Sequence, residues 1–484
     1  MRIRNLLNRS YRGAVRDDGL LRSLDLIVLS AACGTILFAN TAGAALTGYA
    51  SAFGAGEFMF GLISALPILA GLSQLFVSYL VEKTGSRKAL FLAGGIAQRL
   101  LWIVAAFIPH FLPGRLAPLR AWALLAIITA AAVAGSFVNV THVSMVAEVV
   151  PIGIRGIYIT ARQRVTTLFS LAAGLGAAFV LDHTRGFTGF TIVFGVGGVA
   201  GLIDILMYAG FKFPAVKRGE RRFSFADGFK ECFRAPKTRD YLVFWGVWGF
   251  AINLSSTFFN KYSLDVLRLS FLQVIVFGQL VANVVTIFVI TRWGRFIDRY
   301  GCAPLLFLTG TATSLVMIAW LPATPGSIAP VLIFNLLGGF VWCGTDATAL
   351  NMQLSHTPDI GRPLALAIYT IVTSSSAALA FIAGGSFLEL MAPVMRDAGL
   401  TLFGTPFDHY KLLFAITAVL RFAAIAVFLP RVWNEKGLTA REAYADIAAR
   451  GRAWLGGAAL YLRERSRRRR EALSEAGGRG THRR

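Results

Sequence analysis

Twelve apolar stretches of bilayer-crossing length recur along almost the whole chain, more than a water-soluble globule has interior to bury. A membrane-spanning helix needs about 20 mostly apolar residues, because it rises about 1.5 Å per residue across about 30 Å of hydrocarbon. Charged and Gly/Pro-rich breaks place the stretches at 24–48, 58–81, 89–109, 119–147, 165–181 and 188–212. A second set lies at 240–263, 270–291, 304–322, 328–352, 363–392 and 410–430. With 56% hydrophobic and only 15% charged residues, the bilayer is the solvent that fits. The expected class is an all-α integral membrane protein of twelve transmembrane helices.

The net charge of +23 would suit a nucleic-acid binder, but in a membrane protein the placement of Lys and Arg over the loops comes first. Most of the 48 basic residues fall on one side of the twelve-span topology, and Arg99 and Arg421 are the two well inside spans. The positive-inside rule then puts both termini in the cytoplasm and the chain, multi-pass, in the plasma (inner) membrane. The basic leader (1–23, Arg2 to Arg22), the central loop (Lys212 to Arg239) and the tail (431–484, including Arg467 to Arg470) read as topology signals that attract anionic lipids. Each such side chain gains about 1 kcal/mol near an anionic surface. No nucleic-acid partner is expected.

The leader imitates a secretory signal, but the apolar run behind it is about 25 residues and lacks a cleavage site, so it should remain as the first span. In the tail, Ala443, Tyr444, Ile447, Trp454, Leu455 and Tyr461 stand among arginines. An interfacial amphipathic helix and a disordered basic tail both fit that pattern.

Cys33, Cys232, Cys302 and Cys343 are scattered without a CxxC pair or a histidine at metal spacing, so no disulfide frame, metal or cofactor is expected. No GxxxxGK[ST], GxSxG or HExxH occurs. Neither P-loop ATP hydrolysis nor hydrolase chemistry is expected, and the chain does not read as an enzyme.

The segment 214–239, with Pro214 and Pro236 near its ends, divides the chain into a half at 24–213 and a half at 240–430. Matching halves suggest internal duplication, which in membrane proteins places a binding site at the repeat interface. After the second span the chain reads Ser78-Tyr-Leu-Val-Glu82-Lys83-Thr-Gly85-Ser-Arg87, and after the eighth Gly294-Arg-Phe-Ile-Asp298-Arg299-Tyr-Gly301. After the fourth span Arg155 follows Pro151 by four positions, and after the tenth Arg362 follows Pro358 by four.

The Gly294–Gly301 stretch resembles the loop signature of the major facilitator superfamily, which that family carries between its second and third helices and often again between the eighth and ninth. The first copy departs from it, with Ser78 for the first glycine and Glu82 for the aspartate. Ala147-Glu148-Val-Val-Pro151-Ile-Gly-Ile-Arg155-Gly156 resembles the loop after the fourth helix in poorly characterised bacterial members. The resemblance covers about residues 20–430 and implies two six-helix repeats and a secondary active transporter of a small solute. It also implies a cytoplasmic latch of Asp298 with Arg299, and of Glu82 with Lys83 or Arg87, framed by Gly85, Gly294 and Gly301. Read without it, these are solvated loop charges. The fifth span has Gly174 and Gly176 but no Gly-Pro pair, so it lacks the signature of the superfamily's drug/proton antiporters, and sugar-porter signatures are missing.

A charge at mid-membrane costs at least about 2.5 kcal/mol unless paired or wetted. Arg99, Asp204, Asp346 and Arg421 are the charges well inside spans, with His142 and Glu148 toward the inner end of the fourth. In the superfamily the first, fourth, seventh and tenth helices line the cavity and the third, sixth, ninth and twelfth pack outside. On that scheme Arg99 and Asp204 are a structural pair, and Arg421 lacks an acid on the ninth span.

Asp346 sits on a cavity helix beside Trp342, Thr345 and Thr348, and the Pro151/Pro358 alignment makes Asn139 its counterpart. Asn40, Asn253 and His142 are further substrate or coupling candidates, His142 because histidine can relay protons near neutral pH. Each has an alternative role as an interhelical hydrogen-bonding group. A second functional reading is a non-transporting sensor or scaffold of the same fold, acting through its basic tail.

Overall fold

The computed structural model describes residues 18–211, 225–355, 362–402 and 404–432, together with Glu442 and Ala445. Most of the leader, the Pro358 turn and nearly all of the tail lie outside the described residues. Twelve helical segments are long and apolar enough to cross a membrane. They are α1 Asp18–Ala52, α2 Glu57–Val81, α3 Arg87–Ala106, α4 Gly114–Val146, α5 Ile152–His183 and α6 Thr188–Gly210, then α7 Pro236–Val266, α8 Phe271–Tyr300, α9 Cys302–Trp320, α10 Ala329–Gln353, α11 Ala365–Ala398 and α12 His409–Arg431. Twelve crossings return the chain to the face where residue 18 lies, here the near face; the opposite one is the far face.

Two ends differ most from the hydropathy reading. Helix α5 begins at 152 and not 165, because Arg155, Arg162, Gln163 and Arg164 continue the helix although they are not apolar. Helix α8 runs to Tyr300 and not 291, so that the Gly294–Arg299 signature is helical and Gly301, at φ +87°, ends it. A backbone there needs glycine's freedom. Within the expected linker, Phe225–Arg234 forms a short helix that packs on α7 and α11 with Cys232 buried.

Within the first six helices, α1 packs on α5 and α6, α3 on α4 and α6, and α2 on α4. The same pairings recur six helices later: α7 on α11 and α12, α9 on α10 and α12, and α8 on α10. The two bundles meet where α2 packs on α11, α5 on α8 and α1 on α7. At the α2/α11 crossing Gly61 and Gly385 face each other, and a Cβ on Gly61 would stand 2.5 Å from the Phe381 carbonyl oxygen. Small residues let helices approach this closely where lipid offers no hydrophobic drive for association.

The apolar cores are joined toward the far face and again partway along α2 and α11, where Ala65 packs with Ala377, Ala378 and Phe381. Near the far face a single cluster runs from Tyr49, Phe60 and Phe194 of the first bundle to Phe258, Tyr262, Trp320 and Phe414 of the second. Toward the near face each cluster stays within one bundle: Leu24, Phe91, Tyr158 and Tyr208 in the first, and Phe244, Trp248, Leu306 and Ile425, with a smaller group of Val289, Trp293 and Leu305, in the second. The bundles thus share apolar core toward the far face, while their cores at the near face are separate.

Candidate functional site

Beneath the far-face seal lies a cavity of about 380 Å³, within the usual size range of small-molecule sites. Helices α1 and α5 form one wall; α7, α8, α10 and Trp320 at the end of α9 form the other. The backbone is irregular on three of these helices where they meet the cavity. Helix α1 breaks at Gly43, with φ +57°. Helix α7 ends in π-helical turns at Tyr262–Val266, and α8 carries them at Val274–Leu280. In membranes such backbone is tolerated where it lines a polar cavity, since freed N–H and C=O groups need partners, and π turns are common at functional sites.

Among the described residues, no Asp, Glu, Lys, Arg or His lines the cavity. Its polar groups are Ser170, Ser256, Asn260, Ser263, Gln279 and Asn335, and its aromatic wall is Phe259, Trp320 and Phe334, whose ring centroids lie 4.9–5.4 Å apart.

The mouth above is shut by polar bridges between the bundles. Lys261 pairs with Glu57 (3.1 Å) and with Asp265 (3.0 Å), and the Tyr410 hydroxyl donates to Glu57 at 2.6 Å. Ser51 donates to Asp265 at 2.9 Å, and the Phe58 N–H to Glu389 at 2.8 Å. Asp182 of α5 accepts the N–H groups of Phe271 and Leu272 at 2.8 and 2.9 Å, capping the positive N-terminal end of α8. Ser64 and Thr257 meet at 2.6 Å deeper in.

None of the five residues favoured by sequence lines this cavity. Asn40 is buried and donates to the Val193 carbonyl of α6 at 3.0 Å. His142 bonds the Tyr208 hydroxyl at 2.9 Å and lies beside Phe91, within the first bundle. Asn253 donates to Gly249 of its own helix and accepts from the cavity-lining Ser256 at 3.4 Å. Asp346 and Asn139 are exposed, and neither makes a hydrogen bond or ion pair among the described residues. Asp346 follows Asn335 on α10 by about three turns, which keeps both on one stripe of the helix as it descends toward the near face.

Arg99 and Asp204 meet at 3.0 Å, with Ser30 donating to the other carboxylate oxygen. Arg421, 1% exposed, donates to the Ile252 carbonyl at 3.2 Å and stacks over Trp342 at 5.6 Å, while its Nε and Nη1 have no acceptor among the described residues.

At the near face Arg87 is bidentate to Glu148 at 2.7 and 3.0 Å, an ion pair within the first bundle. Gly85 closes α2 at φ +67°. Lys83 is exposed, and the Glu82 side chain lies outside the described residues. Asp298 and Arg299 are exposed, with Arg299 over the Tyr300 ring at 5.4 Å, and Gly294 has open space where a Cβ would be.

The sequence reading missed Asn260, Gln279, Asn335 and Ser170. Their signal was present as uncharged polar side chains inside spans, which a search for intramembrane charge passes over.

Among solved structures, a mutant of the nucleoside transporter NupG superposes with a TM-score of 0.63 at 14% identity, over 84% of this chain and 100% of that one. A bacterial homologue of the human lysosomal transporter Spinster, inward-facing and occupied, gives 0.61 at 14%, over 87% and 97%. The inward-open xylose transporter XylE from E. coli gives 0.58 at 15%, over 87% and 99%. These likenesses are ones of fold. No curated protein sequence matches the chain. The profile of the Major Facilitator Superfamily matches residues 27–380, most of the two bundles, and the chain belongs to that superfamily.

Proposed function

We propose that the protein is a secondary transporter that carries a small solute across the inner membrane by alternating access, with its near face in the cytoplasm. The observation that carries this reading is the asymmetry of the bundle interface. A shared core and polar bridges seal the far face, separate cores flank the near face, and a cavity lies between. Two bundles joined in this way expose the cavity to the other side by breaking the far-face bridges and making new contacts at the near face. The state seen here then faces inward. The excess of Lys and Arg in the near-face loops supports the orientation.

The latch residues Asp298 and Arg299, with Glu82, Lys83 and Arg87, would act in the outward-facing state. Lys83, Asp298 and Arg299 are exposed here, which fits an open near mouth. In this reading Asp346, exposed and about three turns closer to the near face than Asn335, exchanges a proton or contacts the solute as it passes. The solved neighbours named as nucleoside and xylose transporters support a small solute as cargo.

The test is uptake by purified protein in liposomes, over several solute classes, with and without a pH gradient. Asp346→Asn should leave an inserted, monodisperse protein without driven uptake. Retained exchange would assign Asp346 to coupling, and lost binding would assign it to solute contact. Wild-type uptake and affinity in that variant remove both roles. If no class of solute moves in either direction, the chain is a sensor or scaffold on a transporter fold.

A further inference from the structure

We infer that the cavity takes an uncharged ring compound rich in hydroxyl or amide groups, of pentose to nucleoside size. The inference rests on the cavity being the solute site.

An ion brought into this site would meet no counter-charge, because no ionisable side chain is among the lining residues. Two charges adjacent in sequence to lining residues are already committed. Lys261, the residue after Asn260, is held by Glu57 and Asp265, and Asp182 is occupied by the α8 N-terminus. Desolvating an uncompensated ion costs several kcal/mol, so a charged cargo is disfavoured at this position.

What the cavity offers instead is neutral hydrogen bonding without protein partners. Asn260, Gln279 and Ser170 line it from three different helices and make no hydrogen bond among the described residues. Asn335 gives its amide to Val331 of its own helix at 2.8 Å, which leaves its carbonyl oxygen available. Together they present both donors and acceptors. A ligand that satisfies them must itself carry both, as hydroxyls and amides do. A site built to hydrogen-bond such groups rejects analogues that lack them, because its own polar groups are then left unpaired.

The opposite requirement comes from Phe259, Trp320 and Phe334. Phe259 and Trp320 are nearly parallel, at an interplanar angle of 15°. Packing behind them fixes their orientation, since both also touch Phe414. A rigid aromatic wall gains most from a flat or ring-shaped face. Polar edges and an apolar face on one uncharged molecule describe a sugar or a nucleoside.

Equilibrium binding to the purified full chain is the test, with uridine and D-glucose as neutral probes and L-glutamate and L-arginine as charged ones. At least one neutral probe should bind saturably and raise the melting temperature, and neither charged probe should. Asn260→Asp and Gln279→Glu are nearly isosteric and place a charge in the cavity. Each should stay monodisperse and weaken the neutral ligand about tenfold or more. Asn335→Ala should weaken it less.

Saturable binding of a charged probe, no binding by either neutral one, or neutral binding untouched by all three substitutions would overturn the inference. Neutral binding without uptake would remove the transport reading and leave this one. Uptake of a charged solute would do the reverse.

Discussion

Lys261 Nζ lies 3.1 Å from Glu57 Oε1 and so ties the end of α7 to the start of α2 across the two bundles, with only 10% and 15% of the two side chains exposed. Asp265 is the second acid on the same ammonium. One cation thus holds two carboxylates, of which Glu57 is poorly solvated and Asp265 is exposed. Lys261→Met should leave those acids repelling each other, at a cost of about 3–5 kcal/mol to the sealed state. Reagent added from the far side should then label a cysteine at Gln279 several-fold faster. Unchanged labelling would mean that the apolar core alone keeps the mouth shut.

The facing glycines of α2 and α11 give a steric version of the same test. A Cβ on Gly61 would stand 2.5 Å from the Phe381 carbonyl oxygen, and one on Gly385 would stand 2.7 Å from that of Glu57. Both obstacles are backbone and cannot rotate aside. Gly61→Leu or Gly385→Leu should therefore wedge the far mouth open and lower labelling from the near side. A variant that unfolds would be separated from one that switches state by its elution in gel filtration.

The buried arginines Arg99 and Arg421 differ in having and lacking an acid partner among the described residues, and their variants should differ accordingly. Asp204→Ala leaves Arg99 buried and unpaired, which should cost about 3–5 kcal/mol, and Arg99→Met with Asp204→Leu should recover most of it. Arg421→Met removes a buried guanidinium that has one hydrogen bond and keeps its apolar volume, so the melting temperature should hold or rise. A fall of more than a few degrees would give Arg421 a role in holding the second bundle together.

Asp298 is exposed and makes no ion pair among the described residues. If its partner forms only when the near face closes, Asp298→Asn should not destabilise the near-open state and should raise its population. Near-side labelling of cavity cysteines should increase, with expression unchanged, and Glu82→Gln should act more weakly. Identical labelling in Asp298→Asn and the wild type would make it an ordinary surface charge. Reporter fusions at Glu220 and after Arg484 should both read cytoplasmic, and a periplasmic reading at either would sink the assigned orientation.

The spans were legible because each keeps about 20 apolar residues together, and hydropathy measures that directly. The first turns of α5 were not, since Arg155, Arg162 and Arg164 are helical yet polar. Helical backbone satisfies its own hydrogen bonds in any solvent, so a helix runs past the hydrocarbon that hydropathy detects. The Gly294–Gly301 signature carried the family for a similar reason, since its glycine sits at a conformation few other residues adopt. The cavity was harder to see. Asp346 and His142 stand out in a span because charge and titration are conspicuous there, whereas Asn260 and Gln279 cost far less to bury and resemble any interhelical amide. Which of them face the cavity depends on helix rotation, and the π turns of α7 and α8 alter that rotation without a sequence marker.

Those π turns leave α8 with two angular phases. Each residue of an α-helix advances about 100°, and a π turn accommodates an extra residue, so side chains beyond Leu280 are rotated relative to a wheel drawn from Phe271. A single wheel over 271–300 would put either Gln279 or Asp298 on the wrong side of the helix. Deleting one residue between 274 and 280 would merge the two phases into one straight wheel, with little change in hydropathy. It would also turn the cavity end of α8 against its near-face end, so the bulge acts as an indexing step between the part of the helix that faces the solute site and the part that carries the family signature.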